Sequence, residues 1–329
     1  MIRFTYFCLY IASNREESKH FFVEIEKYHW NKTFNPHTIY FIALHSTVRS
    51  PLNGVWKWQD GVLEQLLRIK GHKHSEWTHI LQECIKFIIK QFPRPFDGLI
   101  YSGHGGGVSI GKWYRNGSPY FKLCDVISIF VEHNLTFPFM FFNSCYMGSF
   151  LSLLEYSRIT NWVAADPGYN AWESITTTNT FWKRTKDIDI GLWMSACVTE
   201  YHEQHSIWNY KCYMIFDLHD IPELFREMKQ TKPMKWAWKR KYILSYYHDS
   251  STYDLYSILE NMNDPTIHER NMIRLIRHMM RYSHLCERKK GPSIQWGRFA
   301  YMEDRYVGSL WWEFWKNVNT QTVFDGHIE

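Results

Sequence analysis

Two segments of the same kind constrain the fold more than any other part of this sequence. Each is a short apolar run that stops abruptly at small residues, and they span residues 96–107 and 138–149. This pattern is typical of a buried strand followed by a tight turn. Apolar stripes at helical spacing predict a helix before each segment, over residues 75–91 and 122–132. Strands that alternate with helices indicate a parallel sheet with helices on both faces.

The rest of the sequence continues this alternation. Further strands are predicted at residues 4–12, 38–44, 162–165, 211–217 and 292–296. Further helices are predicted at residues 16–30, 149–158, 180–202, 222–229, 253–262, 266–286 and 311–318. Trp56 and Trp58 alternate with Lys57, which favours a hairpin or an excursion from the core. We predict an α/β core over residues 1–180 and a more helical region over residues 181–329 that completes the same compact unit.

Composition excludes some classes of partner. The chain has 329 residues and 45% hydrophobic residues, which is sufficient for a large core. The net charge of +5 is mild and scattered, so we expect no nucleic-acid partner, which would need a clustered basic face. No apolar run approaches the roughly 20 residues of a membrane helix, so no transmembrane segment is predicted. We expect a monomer.

Cysteine usage and the first residues bear on the cellular compartment. The 7 cysteines are odd in number and widely spaced, which favours a reducing compartment over a disulfide framework, and we expect a cytoplasmic protein. Residues 1–13 place one Arg before an apolar run, so secretion is the alternative if they act as a signal segment. Their polar residues and the missing small-residue cleavage site favour a buried strand instead.

Each of the two segments places one reactive side chain at the carboxyl end of its apolar strand: His104 in the first and Cys145 in the second. Open α/β sheets build their sites at the carboxyl ends of strands. A thiol and an imidazole on neighbouring strand ends form a nucleophile and its base. A nearby imidazole or the N-terminus of the following helix would raise the thiolate fraction. The backbone N–H groups of Gly105 and Cys145 are the candidate donors to an oxyanion.

Both blocks resemble the clostripain-like cysteine peptidases, relatives of caspases, gingipains, legumain and separase. In that clan the catalytic His precedes a Gly after an apolar strand, and residues 101–107 and 143–148 match the two blocks. Weaker similarity covers residues 163–169, 216–224, 253–256 and 291–294. The resemblance implies a caspase-like sandwich with a mostly parallel central sheet, and a catalytic core within residues 1–180. It also implies a cysteine endopeptidase that cleaves proteins or peptides through a Cys–His dyad and an acyl-enzyme.

The sequence departs from the family at two positions. Asn143 stands where much of the family has an Asp that recognises a basic P1 side chain, and Gly103 stands where many relatives carry an acid. The basic P1 preference that the resemblance implies then depends on Asp166 or Glu173, and we assign Asn143, Asp166 and Glu173 to substrate binding. The departures also keep open a second interpretation, a caspase-like binding or scaffold protein with little or no turnover.

Other motifs in the sequence offer alternatives with weaker support. Residues 107–111 fit G-x-S-x-G, and residues 104–107 fit the esterase oxyanion motif, but the two overlap at Gly107 and cannot both act. The histidine pairs at 72 and 74 and at 202 and 205 lack acid or thiol partners for a tetrahedral metal set. We therefore predict no metal and no cofactor for the chemistry. Some relatives are stimulated by calcium, and the sequence leaves open whether this protein is too.

Overall fold

The computed structural model describes residues 4–12, 37–45, 50–69, 76–93, 95–111, 120–168, 175–204, 213–231, 252–283 and 291–295. The strands among them are β1 (Phe4–Ala12), β2 (His37–His45), β3 (Gly54–Gln59), β4 (Val62–Arg68), β5 (Gly98–Gly103), β6 (Ser109–Gly111), β7 (Tyr120–Lys122), β8 (Met140–Asn143), β9 (Trp162–Ala165), β10 (Met214–Asp217), β11 (Thr252–Asp254) and β12 (Ser293–Gln295). The α-helices are α1 (Trp77–Gln91), α2 (Leu123–Glu132), α3 (Phe150–Tyr156), α4 (Asn179–Trp182), α5 (Ile190–Gln204), α6 (Ile221–Gln230), α7 (Leu255–Glu260) and α8 (Ile267–Met279).

Eight strands form one sheet in the order β10-β9-β8-β5-β1-β2-β3-β4. The five strands from β9 to β2 run parallel to one another. The edges are antiparallel, with β10 beside β9 and the β3–β4 hairpin beside β2. The predicted α/β class with a mostly parallel sheet is therefore confirmed, and so is the hairpin around Trp56 and Trp58.

Helices cover both faces of this sheet. Every residue of β1 and β2 is buried, which is typical of parallel strands with a helical layer on each side. Alternate β1 side chains enter two different cores, Phe7 on one face and Tyr6 on the other. The first core contains the apolar stripes of α1, α2 and α3, and the second contains those of α4 and α5.

The helix predicted over residues 180–202 is two helices, α4 and α5. Both oxygens of the Glu200 carboxylate, on α5, accept the backbone N–H groups of Asn179 and Thr180 at 2.8 Å. These donors lie at the N-terminus of α4, where N–H groups have no partner within the helix. Glu200 therefore caps α4 from the side, and the chain between the two helices must turn back.

The helix predicted over residues 253–262 is preceded by a short strand. Residues 252–254 form β11, which pairs with β12, and α7 begins at Leu255. The side chain of Asp254 accepts the Ser257 N–H at 2.8 Å and so caps the helix. The predicted helices at 16–30 and 311–318 lie outside the described residues.

The first strand occupies a central place in the sheet. β1 pairs with β2 on one side and β5 on the other, so residues 4–12 form the buried strand that the sequence predicts. In the described part of the chain, no helix combines the length and apolarity that crossing a bilayer requires. β10 lies beyond residue 180 yet belongs to the same sheet; the division at residue 180 stays a prediction.

Candidate active site

β5 and β8 are adjacent parallel strands, and their last paired residues are Ser102 and Asn143. His104 and Cys145 each lie two residues beyond this pair, at equivalent positions past the two strand ends. Neighbouring strands are about 4.8 Å apart. Both residues are partly exposed. The structure thus brings the two to the same edge of the sheet, which we call the carboxyl edge because β1, β2, β5, β8 and β9 all end there.

The turn that carries Cys145 is held in a left-handed conformation. Tyr146 has φ of 60°, and its N–H donates to the Gly168 carbonyl at 2.6 Å. Gly148 donates its N–H to the Asp166 carbonyl at 2.9 Å. The turn is therefore bonded to the chain that follows β9. α3 begins at Phe150, one residue after the predicted start, so its N-terminus lies past the turn and not at the thiol.

Cys145 differs from the other described cysteines in its exposure. Cys8, Cys84, Cys124 and Cys197 are buried, whereas Cys145 is partly exposed, and none of these five is in a disulfide. Burial raises the pKa of the Cys84 and Cys124 thiols to about 12, so both stay protonated at neutral pH. Among the described thiols, Cys145 is the one that is partly open to solvent.

The chain after β5 folds back as a narrow hairpin, the His104 loop, over residues 104–111. Gly105 lies opposite Ile110 in an isolated antiparallel bridge. The backbone hydrogen bonds that flank the bridge run from Gly106 to Ser109 at 3.0 Å and from Gly111 to His104 at 2.9 Å. Gly105 is therefore in the pair type that shares no hydrogen bond, so its own N–H points away from the hairpin.

Tyr101 fixes the start of this loop. Its buried hydroxyl donates to the His104 carbonyl at 2.5 Å and accepts the Gly111 N–H at 3.0 Å. This one hydroxyl thus holds together the two ends of the loop, His104 and Gly111. No pattern in the sequence assigns this role to Tyr101, because its partners depend on how the loop folds back.

The two loops of the carboxyl edge pack directly on each other at Gly105. A β-carbon built on Gly105 would lie 2.3 Å from the Ser144 Oγ and 2.6 Å from the Cys145 carbonyl oxygen. Real β-carbons do not approach other atoms so closely. Only glycine fits here, and the backbone that bears the His104 loop touches the backbone that bears Cys145.

Helix α3 also holds the His104 loop. The Gly107 carbonyl accepts the hydroxyl of Ser149 at 3.3 Å and the hydroxyl of Ser152. Ser149 is also the N-cap of α3 and accepts the Ser152 N–H at 3.1 Å. Ser109, the serine of the G-x-S-x-G match, lies buried in β6 and not at a strand-to-helix turn. The esterase geometry is therefore absent at this motif.

Two of the three residues assigned to substrate binding, Asn143 and Asp166, have internal partners. Asn143 is 6% exposed, and its amide joins Ser102, Ile175 and Tyr213. Asp166 is fully buried, and its carboxylate accepts the Gly168 N–H at 2.7 Å. Glu173 lies outside the described residues.

The potential metal ligands are only partly described. In the ranges that the structure describes, no three His, Cys, Asp or Glu side chains are grouped to hold a metal ion. His202 lies in α5, whereas His72, His74 and His205 lie outside those ranges. The expectation that no cofactor is required stays a prediction.

No protein-family model matches the chain, and no curated protein matches it by sequence. Solved structures match it over most of its length, and they give it the fold of the C11, or clostripain-like, cysteine proteases. A secreted C11 protease from Bacteroides thetaiotaomicron, iotapain, matches with a TM-score of 0.69 at 10% identity, over 94% of this chain and 98% of that one. An inactive zymogen C11 protease from Parabacteroides distasonis matches with a TM-score of 0.70 at 14% identity, over 95% and 97%.

A third match is a secreted C11 protease from Bacteroides thetaiotaomicron in complex with an irreversible peptide inhibitor. Its TM-score is 0.69 at 11% identity, over 95% of this chain and 99% of that one. The caspase-like sandwich expected from the two sequence blocks is therefore confirmed as the fold.

The comparison contradicts the expected cytoplasmic location, because two of these matched proteases are described as secreted. The prediction was wrong because it relied on the odd number of widely spaced cysteines. Four of the five described cysteines are buried in the cores. Buried thiols behave as small apolar side chains and are inert, so their presence does not require a reducing compartment.

Proposed function

We propose that this protein is a cysteine endopeptidase in which Cys145 is the nucleophile and His104 the general acid–base. The observation that carries the proposal is the register of β5 and β8, which puts the two residues at equivalent positions past adjacent parallel strands. The partial exposure of Cys145 supports it, since the other described cysteines are sealed from substrate.

The proposed chemistry follows from these two groups. The His104 imidazole takes the Cys145 proton, and the thiolate attacks the carbonyl carbon of the scissile peptide bond. When the tetrahedral intermediate collapses, the carbon–nitrogen bond breaks and the imidazolium gives its proton to the leaving amine. Water, deprotonated by His104, then hydrolyses the thioester and restores the thiol. Because α3 begins at Phe150, we assign the higher thiolate fraction to His104 and not to the helix terminus.

We assign the stabilisation of the oxyanion to the backbone N–H groups of Gly105 and Cys145. The non-hydrogen-bonded bridge directs the Gly105 N–H away from the hairpin, and the loop packs against the Cys145 backbone. Donors held by such packing need no reorganisation when the charge develops.

Peptide or protein substrates are proposed because one protease with this fold is described in complex with a peptide inhibitor. The basic P1 preference stays a prediction. Of the residues to which we assigned it, Asn143 is uncharged and Asp166 is buried.

The test is peptide hydrolysis by Cys145→Ala and His104→Ala variants. We expect kcat/KM to fall at least about 10³-fold in each, because each removes one reacting group. Cys124→Ala is the matched control, since it removes a buried thiol. Unchanged hydrolysis by Cys145→Ala would overturn the proposal.

A mechanism-based probe separates the peptidase from the scaffold interpretation. A peptidyl acyloxymethyl ketone should modify Cys145 stoichiometrically in the wild type and leave the His104→Ala variant largely unlabelled. Absence of labelling in the folded wild type would favour a binding protein with this fold.

A further inference from the structure

The amide of Asn143 joins four segments at the carboxyl edge of the sheet. Its Nδ2 donates to the Ser102 Oγ at 2.9 Å, and its Oδ1 accepts the Ile175 N–H at 3.2 Å and the Tyr213 hydroxyl. Ser102 belongs to β5, Ile175 begins a 3-10 helix after β9, and Tyr213 directly precedes β10. All four residues are buried, between 0% and 6% exposed.

The hydrogen bond between Asn143 and Ser102 lies at the end of the paired region of β5 and β8. These residues form the last pair of β5 and β8, directly before the two turns that carry His104 and Cys145. The backbone pairing of the two strands stops at this point. The side-chain bond therefore continues the connection between the strands beyond the last backbone pair.

The Oδ1 of the Asn143 amide is also fully engaged in hydrogen bonds within the protein. A carbonyl oxygen has two lone pairs, and the Oδ1 of Asn143 already accepts two donors. Both donors are themselves buried, and a buried donor that loses its acceptor is costly. A substrate would have to break one of these bonds to use this oxygen.

We propose that Asn143 is a positioning residue that sets the distance between Cys145 and His104, and that it is not a substrate ligand. The inference rests on the function proposed above. It replaces our assignment of Asn143 to the substrate pocket with a role inside the protein.

The experiment combines kinetics with the pH dependence of Cys145 alkylation by iodoacetamide. In Asn143→Ala we expect kcat for peptide hydrolysis to fall about 10- to 100-fold with KM changed less than about threefold, because small misplacements of reacting groups have effects of this size. The apparent pKa of alkylation should rise towards about 8.5, the value of an isolated thiol, because His104 no longer lies within reach.

Three further variants and one control make the result specific. Tyr213→Phe and Ser102→Ala each remove one of the hydrogen bonds to Asn143 and should shift kcat and the alkylation profile in the same direction by less. Asn143→Asp keeps an acceptor for the same two donors, and the Ser102 hydroxyl can turn to donate, so kcat should return to within about fivefold of wild type. Asn261→Ala, at an exposed asparagine, is the matched control.

A rise in KM with unchanged kcat and an unchanged alkylation profile in Asn143→Ala would overturn the inference. A gain of cleavage after Arg or Lys in a positional-scanning library with Asn143→Asp would also overturn it, since either result places this side chain in the substrate pocket. An ordinary thiol profile in the wild type, or normal hydrolysis by Cys145→Ala, would instead show that the proposed function has failed.

Discussion

At the scale of the residue, Gly105 shows how little space separates the two loops of the candidate site. The atoms nearest to a built β-carbon include the Cys145 carbonyl oxygen and the Met147 Sδ, both at 2.6 Å. A backbone oxygen cannot rotate away as the end of a side chain can. A side chain at this position would therefore move the turn that carries Cys145.

We expect Gly105→Ala to lower kcat for peptide hydrolysis at least about tenfold and the free energy of unfolding by about 1–3 kcal/mol, the usual cost of overpacking. Peptide kinetics and urea denaturation measure the two effects. Gly106→Ala is the matched control, because the nearest atom there is a single side-chain oxygen of Ser109 at 2.9 Å. Equal behaviour of the two variants would contradict the close packing at Gly105.

At the scale of the element, a side chain covers the backbone of the edge strand β10. At the β10 edge, the Ser283 hydroxyl accepts the Ile215 N–H at 2.8 Å and donates to the Ile215 carbonyl at 2.7 Å. One side chain thus satisfies both backbone groups of an edge residue. Such protection prevents an edge strand from pairing with another chain.

Ser283→Ala should lower the free energy of unfolding by about 1–3 kcal/mol, because two buried backbone groups lose their partner. Urea denaturation measures this change. Ser128→Ala removes a hydroxyl whose one described bond is a 3.5 Å contact with Arg158, and it should have little effect. A Ser283 variant as stable as wild type would show that water replaces the hydroxyl.

At the scale of the whole molecule, the amino ends of the parallel strands are joined to the chain after β9. His37 begins β2. Its ring stacks with Phe4 and packs tilted against Tyr6, and its Nε2 is directed to the Trp182 carbonyl at 3.4 Å. A carbonyl accepts only, so the imidazole donates from Nε2. Burial lowers the pKa of His37 against the opposing effect of its hydrogen bond to the Trp182 carbonyl, and the nearby Arg184 charge also lowers it.

This lowered pKa predicts a loss of stability in mild acid. Below about pH 6.5 the unfolded chain binds a proton at His37 that the folded chain does not, so the stabilisation declines as pH falls towards the folded pKa. Urea denaturation of the wild type and His37→Phe at pH 8 and pH 5.5 measures it. The wild type should lose more stability than the variant, and parallel losses would contradict the prediction.

The comparison with the variant is needed because the pKa of Asp97 is shifted as well. Burial raises the pKa of Asp97, against the opposing effect of the Thr5 N–H that it accepts and of Arg184. Its contribution has the opposite sign, with stability favoured at low pH. Since both proteins retain Asp97, its effect cancels.

The sequence by itself determined the buried strands, most helices and the two strand ends with His104 and Cys145. These depend on local periodicity and on the rule that parallel strands end at one edge, which the register of β5 and β8 satisfies. Only the tertiary structure decided the break between α4 and α5, the anchoring by Tyr101 and Ser149, and the internal partners of Asn143. Each of these depends on a hydrogen bond whose partner is chosen by the folding of the chain, and no periodicity in the sequence encodes that choice.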